Sequence, residues 1–141
     1  MTEQGAPAAR TEPPATATTA PFWEATRERR LLLQWCSGCE RPIFYPREEC
    51  PYCTATSLRW RPASGRGSLY TFTVEHRAPS PLAGGKGPYV IALVDLDEGV
   101  RMMANVVNCP LDSLEVGMPL EVTWEQLPDG RCLPLFQPRE P

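Results

Sequence analysis

The chain has 141 residues, 42% hydrophobic and 22% charged, with a formal net charge of −3. That length supports one ordinary domain or two very small ones, and the balance is that of a globular protein rather than a disordered or membrane-embedded chain. The longest apolar run, Tyr89 to Val94, falls far short of the roughly 20 residues a bilayer span needs, and no secretory signal core is present, so the expected location is the cytoplasm.

Residues 1–20 are mostly Ala, Thr and Pro with no Leu, Ile, Val or aromatic side chain to bury, which predicts a flexible tail. A helix-plus-ribbon unit is expected over residues 21–63 and a β domain over 64–141. "TTAPFWEATRERR" places Thr19 ahead of Pro21, a cap followed by a first-turn proline, and predicts a short helix from Pro21 to Arg30. "LLLQW" then runs as a strand into "CSGCERPIFYPREECPYC", which carries Cys36, Cys39, Cys50 and Cys53 as two C-x-x-C pairs.

Four cysteines at this spacing predict a closed tetrahedral metal site, because each tight turn offers two sulfurs on one side. Gly38, Pro46 and Pro51 suit such turns. In the cytoplasm thiols stay reduced, which ranks metal or buried thiols ahead of disulfides. A thioredoxin-like redox pair would need a single motif opening a helix in a βαβ unit, and catalytic zinc would need an open position that four thiolates fill. Zinc in a structural role is expected, with iron as the residual alternative for the same donor set. So small a unit buries little, so the metal should supply folding energy on the order of 10 kcal/mol, and residues 22–63 should unravel without it. Phe22, Trp23 and Trp35 are expected to cover this module in preference to anchoring an interface. Cys109 and Cys132 lie far from it and read as buried small apolar residues.

After a further strand in "SLRWRPA" the period is that of β structure. "GSLYTFTVEHR" alternates and puts Tyr70, Phe72 and Val74 on one face; "PYVIALVDL" is apolar on both faces; "VRMMANVVN" follows a tight "DLDEG" hairpin. Leu111 to Glu115 suit one helical turn, and "LEVTWEQL" and "RCLPLFQ" form a hairpin around "PDG". Three strands, a helical turn and two strands is the order of a five-stranded OB-type barrel, with a small β-sandwich as the alternative.

The sequence offers no obvious catalytic constellation. His76, at a strand end, has no nucleophile motif beside it; Asp95, Asp97 and Glu98 sit in a hairpin where solvated turn formers are ordinary; "GGKG" lacks phosphate-loop spacing. Residues 22–63 hold seven Arg and five acidic residues, a net +2 that four thiolates on a divalent metal would cancel, and residues 64–141 hold six basic and ten acidic, net −4. Without a basic stripe there is little counterion release to drive nucleic-acid binding, which leaves a single-stranded nucleic-acid binder as the alternative function.

The succession "FWEATRERRLLLQWCSGCERPIFYPREECPYC", "LRWRPASGRGSLYTFTVEH", "PYVIALVDLDEGVRMMANV" and "LEVGMPLEV" resembles the DUF35 family of zinc-ribbon and OB-fold proteins, over about residues 22–127. The resemblance implies a noncatalytic accessory subunit that binds a thiolase-like enzyme and helps form or cover its acyl-CoA site, supporting carbon–carbon bond cleavage or formation next to a thioester. Retro-aldol cleavage in steroid side-chain degradation is the candidate reaction. Arg77 and Lys86, in the long "HRAPSPLAGGKGPY" connection, are then candidates to meet the phosphates of CoA.

Overall fold

The computed structural model describes residues 12–76 and 88–140. Of the expected tail, residues 1–11 lie outside the described residues, as do Arg77 and Lys86. The elements run α1 (Ala20–Thr26), β1 (Leu32–Cys36), β2 (Pro42–Ile43), β3 (Leu58–Pro62), β4 (Arg66–Glu75), β5 (Tyr89–Leu96), β6 (Arg101–Val106), a 3₁₀ turn (Leu111–Ser113), β7 (Pro119–Gln126) and β8 (Cys132–Pro138). The first three strands form an antiparallel ribbon in the order β2-β1-β3, and the other five close into a barrel in the order β4-β5-β6-β8-β7, with β7 returning to β4. The expected barrel is therefore the architecture, and the sandwich alternative is set aside by the β4–β7 closure.

α1 is shorter than the sequence suggests. The chain reverses through Arg29, at φ +58°, and the Arg30 N–H turns back to the Ala25 carbonyl, which ends the helix before Arg30. Thr19 makes no side-chain cap to the helix; its hydroxyl accepts instead from the Thr16 N–H at 2.9 Å.

The barrel interior follows the two-residue period. Val90, Ala92, Val94 and Leu96 of β5 point inward, against Leu69, Met102, Leu120 and Phe136. β4 departs from simple alternation: its register against β5 shifts between Leu69 and Thr71, so Tyr70 is the extra residue of a bulge. Leu69 is buried before the bulge, Phe72 and Val74 turn towards the core after it, and Tyr70 is left exposed, not on the face it was expected to share. There it stacks under Arg101, whose guanidinium lies 3.4 Å from the ring centroid and is held by two bonds to Asp95.

"SGRG" leads into the barrel because the space demands glycine. Gly65 has φ +80°, and a Cβ on Gly67 would collide with the Asp95 carbonyl. The "DEG" turn packs against this lead-in: Glu98 accepts the Ser64 N–H at 2.7 Å, and the Asp97 N–H reaches the Arg66 carbonyl at 2.9 Å. Glu98 is thus a cap as well as a turn residue.

Phe22 packs with Leu31 and Leu33 in the main core cluster, which runs from β1 of the ribbon into the barrel, edge-on to Trp23 and tilted against Phe44 of the ribbon unit. The ribbon has its own small nucleus of Cys36, Ile43 and Cys50, with Ala55 and Leu58 beside it. α1 is pinned to the barrel by Thr26, fully buried, whose hydroxyl donates to the Trp23 carbonyl at 2.6 Å and accepts the Cys132 N–H at 3.2 Å.

Candidate functional site

The two C-x-x-C turns are built alike. In each, the residue after the second cysteine takes a left-handed backbone, Glu40 at φ +60° and Thr54 at φ +66°, and its N–H returns to the carbonyl of the first cysteine at 2.9 Å. The Cys36 and Cys50 N–H groups in turn bond to the Arg41 and Ala55 carbonyls, closing each knuckle as a tight hairpin. Left-handed backbone at a side-chain-bearing residue costs about 1–2 kcal/mol, so the knuckles hold a shape that local preference opposes. The connection between them is clamped by Gln34, which donates to the Arg47 carbonyl at 2.9 Å and accepts the Arg47 N–H at 2.7 Å.

These turns bring the four sulfurs within 4.8 Å of one another. Cys36 Sγ lies 3.6 Å from Cys53 Sγ, and Cys39 Sγ 3.7 Å from Cys50 Sγ. A tetrahedron with zinc–sulfur bonds of about 2.3 Å sets its sulfurs about 3.8 Å apart, so the donor set fits a four-thiolate zinc. Backbone N–H groups point at the sulfurs, from Gly38 and Cys39 to Cys36 Sγ at 3.3 and 3.4 Å and from Tyr52 to Cys50 Sγ at 3.4 Å. The protons are divided unequally. The Cys39 thiol is pushed up to about 12, first by burial and then by the Cys50, Cys36 and Cys53 sulfurs. Cys50 is lowered to about 7: burial, the largest single influence, opposes this, and the Tyr52 and Cys53 N–H groups outweigh it. A divalent cation resolves the conflict by favouring the thiolate at every position.

The other sequence candidates do not join this cluster. Cys132 is buried at the start of β8, and Cys109 is half-buried after β6. His76 is exposed just past β4.

A second feature had no sequence signal. An apolar cavity of about 490 Å³ lies between α1, the Phe44–Pro46 stretch, and strands β5, β6 and β8. Phe22, Phe44, Ile91 and Leu135 line it, and no charged side chain does among the described residues. Tyr45 and Met103 are among its lining residues and are 52% and 57% exposed.

Comparison with known proteins extends over both units. Residues 23–59 match the rubredoxin-like zinc ribbon domain of ChsH2, and residues 60–125 match the C-terminal OB-fold domain of ChsH2. A probable enoyl-CoA hydratase alpha subunit of Thermomonospora curvata is 36% identical over the whole chain, which spans only 44% of that relative's length. A DUF35 domain-containing scaffold protein of Methanocaldococcus jannaschii is 34% identical over 74% of this chain and 75% of its own. The benzoylsuccinyl-CoA thiolase subunit BbsA of Thauera aromatica is 30% identical over 68% of this chain and 64% of its own. Among solved structures, a chain of the Ltp2-ChsH2(DUF35) aldolase superposes with a TM-score of 0.82 at 35% identity, covering 90% of this chain and 98% of that one. With a four-cysteine ribbon and a closed five-stranded barrel in that order, the chain belongs to the DUF35 family.

Proposed function

We propose that the chain is a noncatalytic accessory subunit that binds a thiolase-fold enzyme and helps form or cover its acyl-CoA site. The observation that carries this reading is the near-complete overlap with the DUF35 chain of an aldolase, at an identity high enough to exceed fold likeness alone. A relative named as a thiolase subunit and another named as a hydratase alpha subunit support a place in acyl-CoA chemistry. The candidate reaction is retro-aldol cleavage next to a thioester, in steroid side-chain degradation. Such a step removes the proton of a β-hydroxyl group, breaks the Cα–Cβ bond and leaves its electron pair on a thioester enolate; base and enolate stabilisation fall to the partner.

In this reading Cys36, Cys39, Cys50 and Cys53 hold zinc, which fixes the ribbon and takes no part in the reaction. Arg77 and Lys86 meet the phosphates of CoA, from a connection that joins β4 to β5. Co-expression with a thiolase-fold subunit of the Ltp2 type, followed by light scattering on the purified material, tests it. A stoichiometric hetero-oligomer is expected. Salt-sensitive binding to a single-stranded oligonucleotide, with no such complex, would replace the reading by the nucleic-acid alternative.

A further inference from the structure

The barrel is closed unevenly. β6 and β8 run parallel and share one ladder position, Val106 opposite Phe136, with one further bond from the Val107 N–H to the Phe136 carbonyl at 2.8 Å. From there back to Arg101 the two strands part, and the apolar cavity occupies the gap, with Met102–Asn105 on one side and Leu133–Leu135 on the other.

The two edges that face the gap differ. On β8, Pro134 has no N–H to offer, and the Cys132 N–H is taken by Thr26 Oγ1. That edge is blunted. On β6, antiparallel alternation turns Arg101, Met103 and Asn105 away from β5. Met103 shows the direction, because its N–H faces the Tyr45 hydroxyl at 3.4 Å; Val107, in the same phase, bonds to β8. At that length the Tyr45 contact is at the limit of a hydrogen bond, and β8 shares no ladder position with Arg101 or Met103.

We propose, building on the partner reading above, that this edge of β6 is a strand-addition site: an extended apolar segment of the thiolase-fold partner pairs with Arg101 and Met103 and buries alternate side chains in the cavity. The edge N–H and C=O groups of Arg101 and Met103 select a polypeptide over an acyl chain, which has no backbone to pair with them. The uncharged lining selects apolar side chains. The four residues of edge from Arg101 to Ala104, about 13 Å at strand rise, match one short segment. The cavity is walled by α1 and the Phe44–Pro46 stretch as well as by strands β5, β6 and β8, so it accepts a single strand in preference to the broad wall of a second barrel. Tyr45, half exposed, holds the edge until it is displaced.

Hydrogen–deuterium exchange on the full chain, alone and in complex with the Ltp2-type thiolase-fold subunit, tests the proposal. The Arg101 and Met103 amides should exchange at least tenfold more slowly in the complex. Met103→Pro deletes the outward N–H while leaving Met102 and Ala104 to pair with β5, and should weaken the complex at least tenfold. Should proline disturb the strand, Met103→Asp keeps the N–H, sets a charge against the apolar lining and should weaken the complex in the same way with an unchanged melting temperature. A complex that forms while both amides exchange as in the free chain overturns strand addition and leaves the partner reading standing. No complex at all overturns both. Equal protection from self-association of the chain, or from dodecanoyl-CoA alone, would assign the cavity to a second copy or an acyl chain and also overturn it.

Discussion

Replacing Thr26 by valine should unfasten α1 from the barrel without changing its shape. Thr26 is 0% exposed and its hydroxyl serves two backbone groups, the Trp23 carbonyl and the Cys132 N–H. Valine keeps the volume and loses both bonds. The Cys132 N–H, in a residue 3% exposed, then has no partner, a cost of about 1–3 kcal/mol. At about 4 °C per kcal/mol for a chain of this size, the melting midpoint falls by about 4–12 °C. Thr26→Ser keeps the hydroxyl and deletes one methyl group, about 1 kcal/mol, so it should melt above the valine variant. Thermal unfolding of zinc-loaded protein, followed by circular dichroism, measures both. A valine variant that melts with the parent, or above the serine variant, would refute the argument that this hydroxyl closes the edge of β8.

Three further outcomes are expected. Gly67→Ala should lower stability by about 1–3 kcal/mol in urea titrations, because its Cβ has only the Asp95 backbone to move against. Removing zinc with a chelator should speed exchange at the Gly38, Cys39 and Tyr52 amides, which point at sulfur, well before those of β5 respond. Asp129 ionises more readily in the folded chain than in the unfolded one: burial opposes this, but the Arg131 N–H and guanidinium, and Arg27 beyond them, prevail. Its contribution is therefore full above the unfolded value of about 3.9 and lost as pH falls through the lower folded value. Denaturant midpoints at neutral and acid pH should accordingly differ less in Asp129→Asn than in the parent.

The metal centre was legible because C-x-x-C spacing fixes geometry locally, and the barrel strands because their period is two. What escaped detection depended on distant partners. The bulge at Tyr70 adds one residue to β4 and reverses which side chains face inward, a change that alternation alone does not signal. Gln34 and Glu98 look like ordinary polar residues until the fold sets Arg47 and Ser64 beside them. Phe22 and Trp23 lie in the helix ahead of the ribbon, and only tertiary packing sets them in a core cluster shared by ribbon and barrel. The parting of β6 from β8 is a fact of pairing, and strand patterns carry no pairing information.

Reconstitution tests the central claim most directly: cleavage of a β-hydroxyacyl-CoA thioester is measured with the zinc-loaded chain, with the thiolase-fold subunit, and with both together. The account predicts turnover only when both are present, accompanied by a stable hetero-oligomer. Turnover by the isolated chain, or equal turnover by the thiolase-fold subunit without it, would contradict the account.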